Sequence, residues 1–287
     1  MNTSPLSNYE TILTSTPHPG LLLILLNRPK SLNSINPTLI NDLSHALNYA
    51  NDHPELYGVV IIGSSSPGVF CAGADVKTLV GLSPEELRLQ KDKYDMRKIY
   101  QGLDIPVLAA VNGLCYGGGL EIALMCDVVY CSDSTFFALP EIKLGIFPGG
   151  GATQRLPGII GKSKALELIL TGKEFSAYEA EKWGIVSKVI PNLEDEDEDE
   201  EEEKEEEEMT GSSQVLKEAL KLGQILADGP RMALRMAKRA TLSSCELPLS
   251  LGVKRERSIF NGLFGKPEQT EGMEAFVGKR KANFNKL

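Results

Sequence analysis

Apolar runs and helical periods alternate along this chain. Residues 21–27 read LLLILLN, a strand-sized apolar run that ends at a polar turn. The next stretch, INPTLINDLSHALNYAND, changes period. Leu39, Leu43 and Leu47, with Ile40 and Ala46, recur on one face at helical spacing. Asn36 is placed to cap that helix, and Pro37 fits its first turn. The alternation continues through a strand over 57–63 (YGVVIIG), a charged helical stretch from about 84 to 103 and a strand over 106–113 (PVLAAVNG). A short buried helix then begins in GGGLEIALMCD, short strands follow at 128–133 and 135–139, and GIVSKVI at 184–190 closes the series. Beyond residue 212 the texture is helical, over 213–228, 230–244, 247–264 and 268–280, with Pro230 and Pro267 as starts. The pattern predicts an α/β core to about residue 190 followed by a helical C-terminal part.

Charge divides the chain more sharply than hydropathy does. Residues 194–208, EDEDEDEEEEKEEEE, hold 14 acids and one lysine, a net −13, so the rest of the chain carries +4 against the −9 of the whole. Such a block repels itself and reads as a disordered insertion, set at 194–212 between a core of 8–193 and a C-terminal helical region of 213–287. The 287-residue length suits one large domain with an appendage. No apolar run is long enough to span a membrane. Five cysteines, an odd set without a CxxC pair, read as reduced thiols in an intracellular compartment. The first 27 residues hold no Lys or Arg, which argues against a mitochondrial or secretory leader, and the final NKL is close to a peroxisomal address. Mitochondrion and cytosol are the alternative compartments. The three histidines lie away from the glycine motifs, and neither a metal site nor a histidine-activated nucleophile is visible in the spacing.

Two glycine-bearing turns carry the candidate chemistry. One is VFCAGADVK (69–77), just after the strand at 57–63; the other is the GGGLE that opens the buried helix. Small residues there let backbone N–H groups approach a ligand, and the second set begins a helix, where N–H groups are unpaired and the dipole is positive. Two such donors converging from separate turns make an oxyanion hole. Two acids accompany them: Glu121, one turn inside the glycine start, and Glu141, in ALPEIKLGIFPGGG, twenty residues later. From patterning alone, Glu121 is equally a buried acid paired with an arginine such as Arg155, and Glu141 equally a capping or surface acid.

FCAGADVK, NGLCYGGGLEIALMCD and PEIKLGIFPGGGATQRLP together resemble the enoyl-CoA hydratase/isomerase, or crotonase, family, and LLNRPKSLNSI near the start and EGMEAFVGKRKANF near the end fit as well. The resemblance runs from about Tyr9 over nearly the whole chain. It implies an α/β crotonase-like spiral of strand–strand–helix repeats with a C-terminal helical trimerisation region. By this resemblance the N–H groups of Ala74 and Gly118 hold a thioester oxygen, and Glu121 and Glu141 are the catalytic carboxylates. Ala72, Gly73, Asp75, Val76 and Lys77 line the coenzyme A site, and Gly149 lines the reacting-carbon end of the pocket. Phe260, Phe276 and Lys279 contact coenzyme A, partly from a neighbouring subunit. Many isomerases of the family keep one of the two acids, so the pair here implies hydration of 2-enoyl-CoA in a homotrimer or hexamer. No cofactor is implied beyond the coenzyme A of the substrate. The alternatives are a methylglutaconyl-CoA-type hydratase, a 3-enoyl-CoA to 2-enoyl-CoA isomerase, and a non-catalytic RNA-binding or scaffold member. Some branched-substrate relatives bind RNA through a lysine-rich early helix. The matching helix, NPTLINDLSHALNYAND, has no Lys or Arg, which with the acidic block disfavours phosphate-backbone binding and predicts no nucleic-acid partner. The basic cluster Arg235, Lys238 and Arg239 reads as helix surface or a coenzyme A phosphate contact.

Overall fold

The computed structural model of the chain describes residues 9–64, 68–89, 93–192 and 214–284. The expected acidic insertion at 194–212 and the NKL tail lie outside them. The N-terminal part alternates between two sheets. Strands β1 (Ile12–His18), β2 (Leu21–Leu26), β3 (Gly58–Gly63), β5 (Val107–Val111), β7 (Val128–Ser132) and β10 (Lys188–Ile190) form a six-stranded sheet in the order β1-β2-β3-β5-β7-β10. Only β1 runs antiparallel to its neighbour. Strands β4 (Val69–Cys71), β6 (Leu114–Tyr116), β8 (Phe136–Ala138) and β9 (Phe175–Ser176) form the second sheet, in the order β4-β6-β8-β9.

Each large-sheet strand β3, β5 and β7 is therefore followed by a small-sheet strand and then by helix. After β6 comes α4 (Gly118–Met125); after β8 come a 3-10 turn (Pro140–Leu144), α5 (Ala152–Ile160) and α6 (Lys162–Thr171). This is the strand–strand–helix spiral that the resemblance implied.

The unbroken apolar run of β2 has a packing cause. Leu22, Ile24 and Leu26 belong to the larger core, together with Leu39, Leu43 and Leu47 of α1 (Pro37–Asp52). The alternate residues Leu21, Leu23 and Leu25 belong to a second core with Val215, Leu216 and Ala219 of the Gln214–Ala227 helix. Parallel strands covered on both faces have no polar side to show. The Asn36 cap forms as expected, its side chain accepting from Leu39 N at 2.8 Å.

Two expectations are corrected. Among the described residues the helix read over 84–103 is instead two short helices, α2 (Pro84–Leu89) and α3 (Arg97–Tyr100). Ahead of the second, the Asp95 side chain accepts from Arg97 N at 3.0 Å, a local bond that competes with helix continuation. The basic cluster is not free helix surface, because its cations are engaged by the protein itself. On the Arg231–Leu242 helix, Arg231 donates to His53 O and Leu56 O, Arg235 to Asn51 O, and Arg239 to Asp104. Lys238 reaches Ile105 O at 2.8 Å and the Asp127 carboxylate at 2.7 Å. These cations seat the helix on the core, and Arg231 and Arg235 meet carbonyls at the C-terminal end of α1, where cations are favoured.

Candidate active site

The small sheet explains how residues distant in sequence meet. β4, β6 and β8 are parallel, with Cys71 paired to Cys115 and Tyr116 to Ala138. Their C-terminal ends therefore leave the sheet side by side. The chain leaving β4 is Ala72–Gly73–Ala74, that leaving β6 is Gly117–Gly118, and that leaving β8 is Leu139–Pro140–Glu141. A further bond, Gly117 N to Ala138 O at 2.8 Å, extends the β6–β8 pairing into the glycine turn.

The first two exits touch. Gly118 N lies 3.5 Å from the position a Cβ on Gly73 would take, and Ala74 N lies 3.8 Å from the corresponding position on Gly118. Gly118 is the first residue of α4, so its N–H has no acceptor within the helix. Neither that N–H nor the one on Ala74 has a hydrogen-bond partner among the described residues.

Glu121 sits in the first turn of α4 and is 2% exposed. Its Oε1 accepts from Gly150 N at 2.8 Å and from Ala152 N at 2.9 Å, at the start of α5. The alternative reading, an ion pair with Arg155, is not what the structure shows. Arg155 donates to Gly150 O at 3.2 Å, and among the described residues the carboxylate is held by peptide N–H groups instead. Burial pushes the Glu121 carboxyl above its ordinary value, against the pull of the Ala152, Gly150 and Gly151 N–H groups and of the nearby Arg155 charge.

Glu141, half-buried, lies in the 3-10 turn after β8. Its Oε1 is 2.7 Å from where a Cβ on Gly117 would sit, and its Oε2 is buried with no hydrogen-bond partner among the described residues. Burial raises its carboxyl to about 7; a bond from its own backbone opposes the rise and the negative charge of Glu121 adds to it. The fold thus brings the two acids within electrostatic reach of each other and of both glycine turns.

Gly149 is exposed, with open space around it, and Gly150 behind it has none. A Cβ on Gly150 would lie 2.7 Å from both Glu121 Oε2 and Met96 Sδ. Met96, a residue that no sequence motif marked, therefore lies beside Gly150 and the Glu121 carboxylate. Val76 and Lys77 are exposed at the outer end of the Ala72–Lys77 turn, whereas the Asp75 carboxylate is engaged by Arg28 at 3.1 Å. Phe260 and Phe276 lie exposed on the helices Leu249–Asn261 and Pro267–Val277, and Lys279 follows the second of these. Among the described residues no group of three or more His, Cys, Asp and Glu is placed to hold a metal ion.

Comparison with known proteins identifies the family. The family described as enoyl-CoA hydratase/isomerase matches residues 17–205 and 206–286. A probable mitochondrial enoyl-CoA hydratase of Dictyostelium discoideum is 40% identical over 261 residues, 90% of this chain and 85% of that one. The mitochondrial enoyl-CoA hydratase of Pongo abelii is 37% identical, over 91% of this chain and 82% of its own. Among solved structures, an enoyl-CoA hydratase from Bacillus anthracis superposes with a TM-score of 0.83 at 30% identity, covering 96% of this chain and 99% of that one. The chain belongs to the enoyl-CoA hydratase/isomerase family.

Proposed function

We propose that the protein hydrates 2-enoyl-CoA thioesters, with Ala74 and Gly118 as the oxyanion donors and Glu121 and Glu141 as the acids that handle water. The names of the relatives support the reaction. The observation that carries the roles is the pair of carboxyls in unlike surroundings, beside two unpartnered N–H groups. The thioester oxygen accepts both N–H groups, and as charge develops there the donors stabilise it; losing one such donor typically costs about 2.7–4 kcal/mol of barrier.

The two acids divide the proton work. Glu121, with Oε1 tied to two N–H groups, is the better base: its other oxygen takes a proton from water as the water oxygen bonds to C3. Glu141, raised to about 7 and without a hydrogen bond on Oε2, is the better acid: its proton goes to C2 as the enolate collapses. Surroundings that push two carboxyls toward different tasks are a recurring means of running acid and base chemistry together. Coenzyme A enters as part of the substrate, held by Ala72, Gly73, Val76 and Lys77, with Gly149 at the acyl end.

Exposed apolar side chains in the C-terminal helical region, among them Leu249, Phe264, Phe276 and Val277, support assembly as a homotrimer or hexamer, which would bring Phe260, Phe276 and Lys279 to a neighbour's coenzyme A. Among the described residues no helix is long and apolar enough to cross a membrane. We place the protein in an intracellular compartment, a reading that two relatives named mitochondrial support. The decisive experiment is a panel of enoyl-CoA esters on the purified chain. Fast water addition to crotonyl-CoA supports the reading. Turnover confined to a 3-enoyl or a methylglutaconyl ester overturns it in favour of isomerisation or branched-substrate hydration.

A further inference from the structure

The Ala74 N–H has to be aimed, yet the segment that carries it extends past the end of β4. It is laid instead on the loop of residues 28–36. Ile35 N donates to Gly73 O at 2.8 Å, and Asp75 N donates to Ile35 O at 2.8 Å. In a trans peptide the C=O and the N–H point in opposite directions. Gly73 O and Ala74 N–H belong to the same peptide, so fixing that oxygen on Ile35 turns the N–H away from Ile35. One residue earlier, Ala72 N donates to Leu32 O at 3.0 Å. The direction of the donor is thus set by the 28–36 loop.

That loop is held in an unfavourable shape. Leu32 and Asn33 both have left-handed backbone angles, φ 52° and 54°. Non-glycine residues adopt these at a cost, and keep them only where the surroundings over-determine the conformation. Two side chains do so here. Buried Asn33 accepts from Arg28 N at 2.8 Å and donates to Val69 O at 2.9 Å and Phe70 O at 3.2 Å. The Arg28 guanidinium donates to Ser34 O and Ser34 Oγ through one nitrogen and to the Asp75 carboxylate, at 3.1 Å, through the other. Both partners of that ion pair are largely buried, their side chains 19% and 16% exposed. Arg28 therefore joins the loop beneath Ala74 to the residue that follows it.

We propose that Arg28, acting through Asp75, is a positioning residue for the Ala74 oxyanion donor. This rests on the hydratase reading above, and it gives the Asp75 side chain a role in orienting the turn in place of a contact to coenzyme A. The arrangement predicts that loosening the pair harms the enolate more than the bound ground state, because the donor is strained away from a charge that develops only in the reaction.

The test compares Asp75→Asn, Arg28→Gln and the double variant with the wild-type protein. Crotonyl-CoA turnover and melting temperature are measured, with the near-ultraviolet absorbance of bound acetoacetyl-CoA, whose enolate reports the oxyanion site directly. Each single variant is expected to lower kcat by on the order of tenfold with KM held within about twofold, and to weaken the enolate band. The double variant is expected to lose no more than the worse single one, as residues acting as one unit do. Asp75→Asn is nearly isosteric and carries the test should Arg28→Gln fail to fold. The proposal is overturned if melting falls while kcat and the enolate band stay, if KM rises with kcat unchanged, or if the two losses add. An inert wild-type protein would sink the hydratase reading and this proposal with it; an active wild type with unaffected variants sinks the proposal alone.

Discussion

Glu141 Oε1 and Gly117 meet so closely that a side chain on the glycine would begin 2.7 Å from the carboxylate oxygen. Gly117 also has φ 51° and ψ −123°, a backbone state closed to L-residues with a Cβ. Gly117→Ala is therefore expected to strain the turn and displace the acid together. Turnover of crotonyl-CoA should fall by about a hundredfold, the scale of a misplacement of about 1 Å. Stability in urea should fall by about 1–3 kcal/mol. A variant with wild-type turnover would show that Glu141 is not where the reaction needs it.

Folding lifts the Glu141 carboxyl from its ordinary 4.5 to about 7. The folded chain holds this proton more tightly than the unfolded one, so the resulting stabilisation is complete below about pH 4.5 and is lost as pH rises through about 7. Glu141→Gln has no such proton. Its melting temperature minus that of wild type should climb between those limits, and a value that falls with rising pH contradicts the assignment. In the wild type, kcat/KM should decline on the alkaline side as the acid loses its proton.

Glu121→Gln keeps an oxygen that can accept from Gly150 and Ala152 but gives up the base. The fold should persist, by circular dichroism and melting. Hydration should drop by about 10²–10⁴-fold, the usual worth of a positioned acid or base. A variant that retains turnover would leave the Glu121 carboxylate a purely structural anchor for the start of α5.

Lys238 is 10% exposed and spans Asp127 and Ile105 O, so Lys238→Ala leaves a partly buried carboxylate without its cation. The expected loss is about 3 kcal/mol in urea unfolding. Crotonyl-CoA turnover per folded molecule should stay close to wild type, which separates this contact from any role in binding coenzyme A phosphate.

Much of the architecture could be read from local pattern. The Asn36–Pro37 start, the dense apolar strands and the four C-terminal helices all follow from side chains acting on their own neighbourhood. In the small sheet only β8 was legible, as the apolar run at 135–139; β4, β6 and β9 span two or three residues, too few for a period to register. The meeting of Glu121 and Glu141 is likewise absent from local sequence, because it depends on the pairing of Tyr116 with Ala138 across an intervening helix and strand. Resemblance named both acids, and the register supplies the reason they converge. Met96 and the Arg28–Asp75 pair had no signal, since neither repeats a pattern and each matters only through a partner brought up by the fold.

The reacting groups lie beyond the ends of three strands of one small sheet, and two of them are braced from outside it, Ala74 by the 28–36 loop and Glu121 by the start of α5. A replacement at one end alters what is offered to the substrate while the hydrogen-bonded ladder behind it stays as it was. The two acids stand outside both apolar cores, so the chemistry at Glu121 or Glu141 can be altered without touching the side chains that fill the interior.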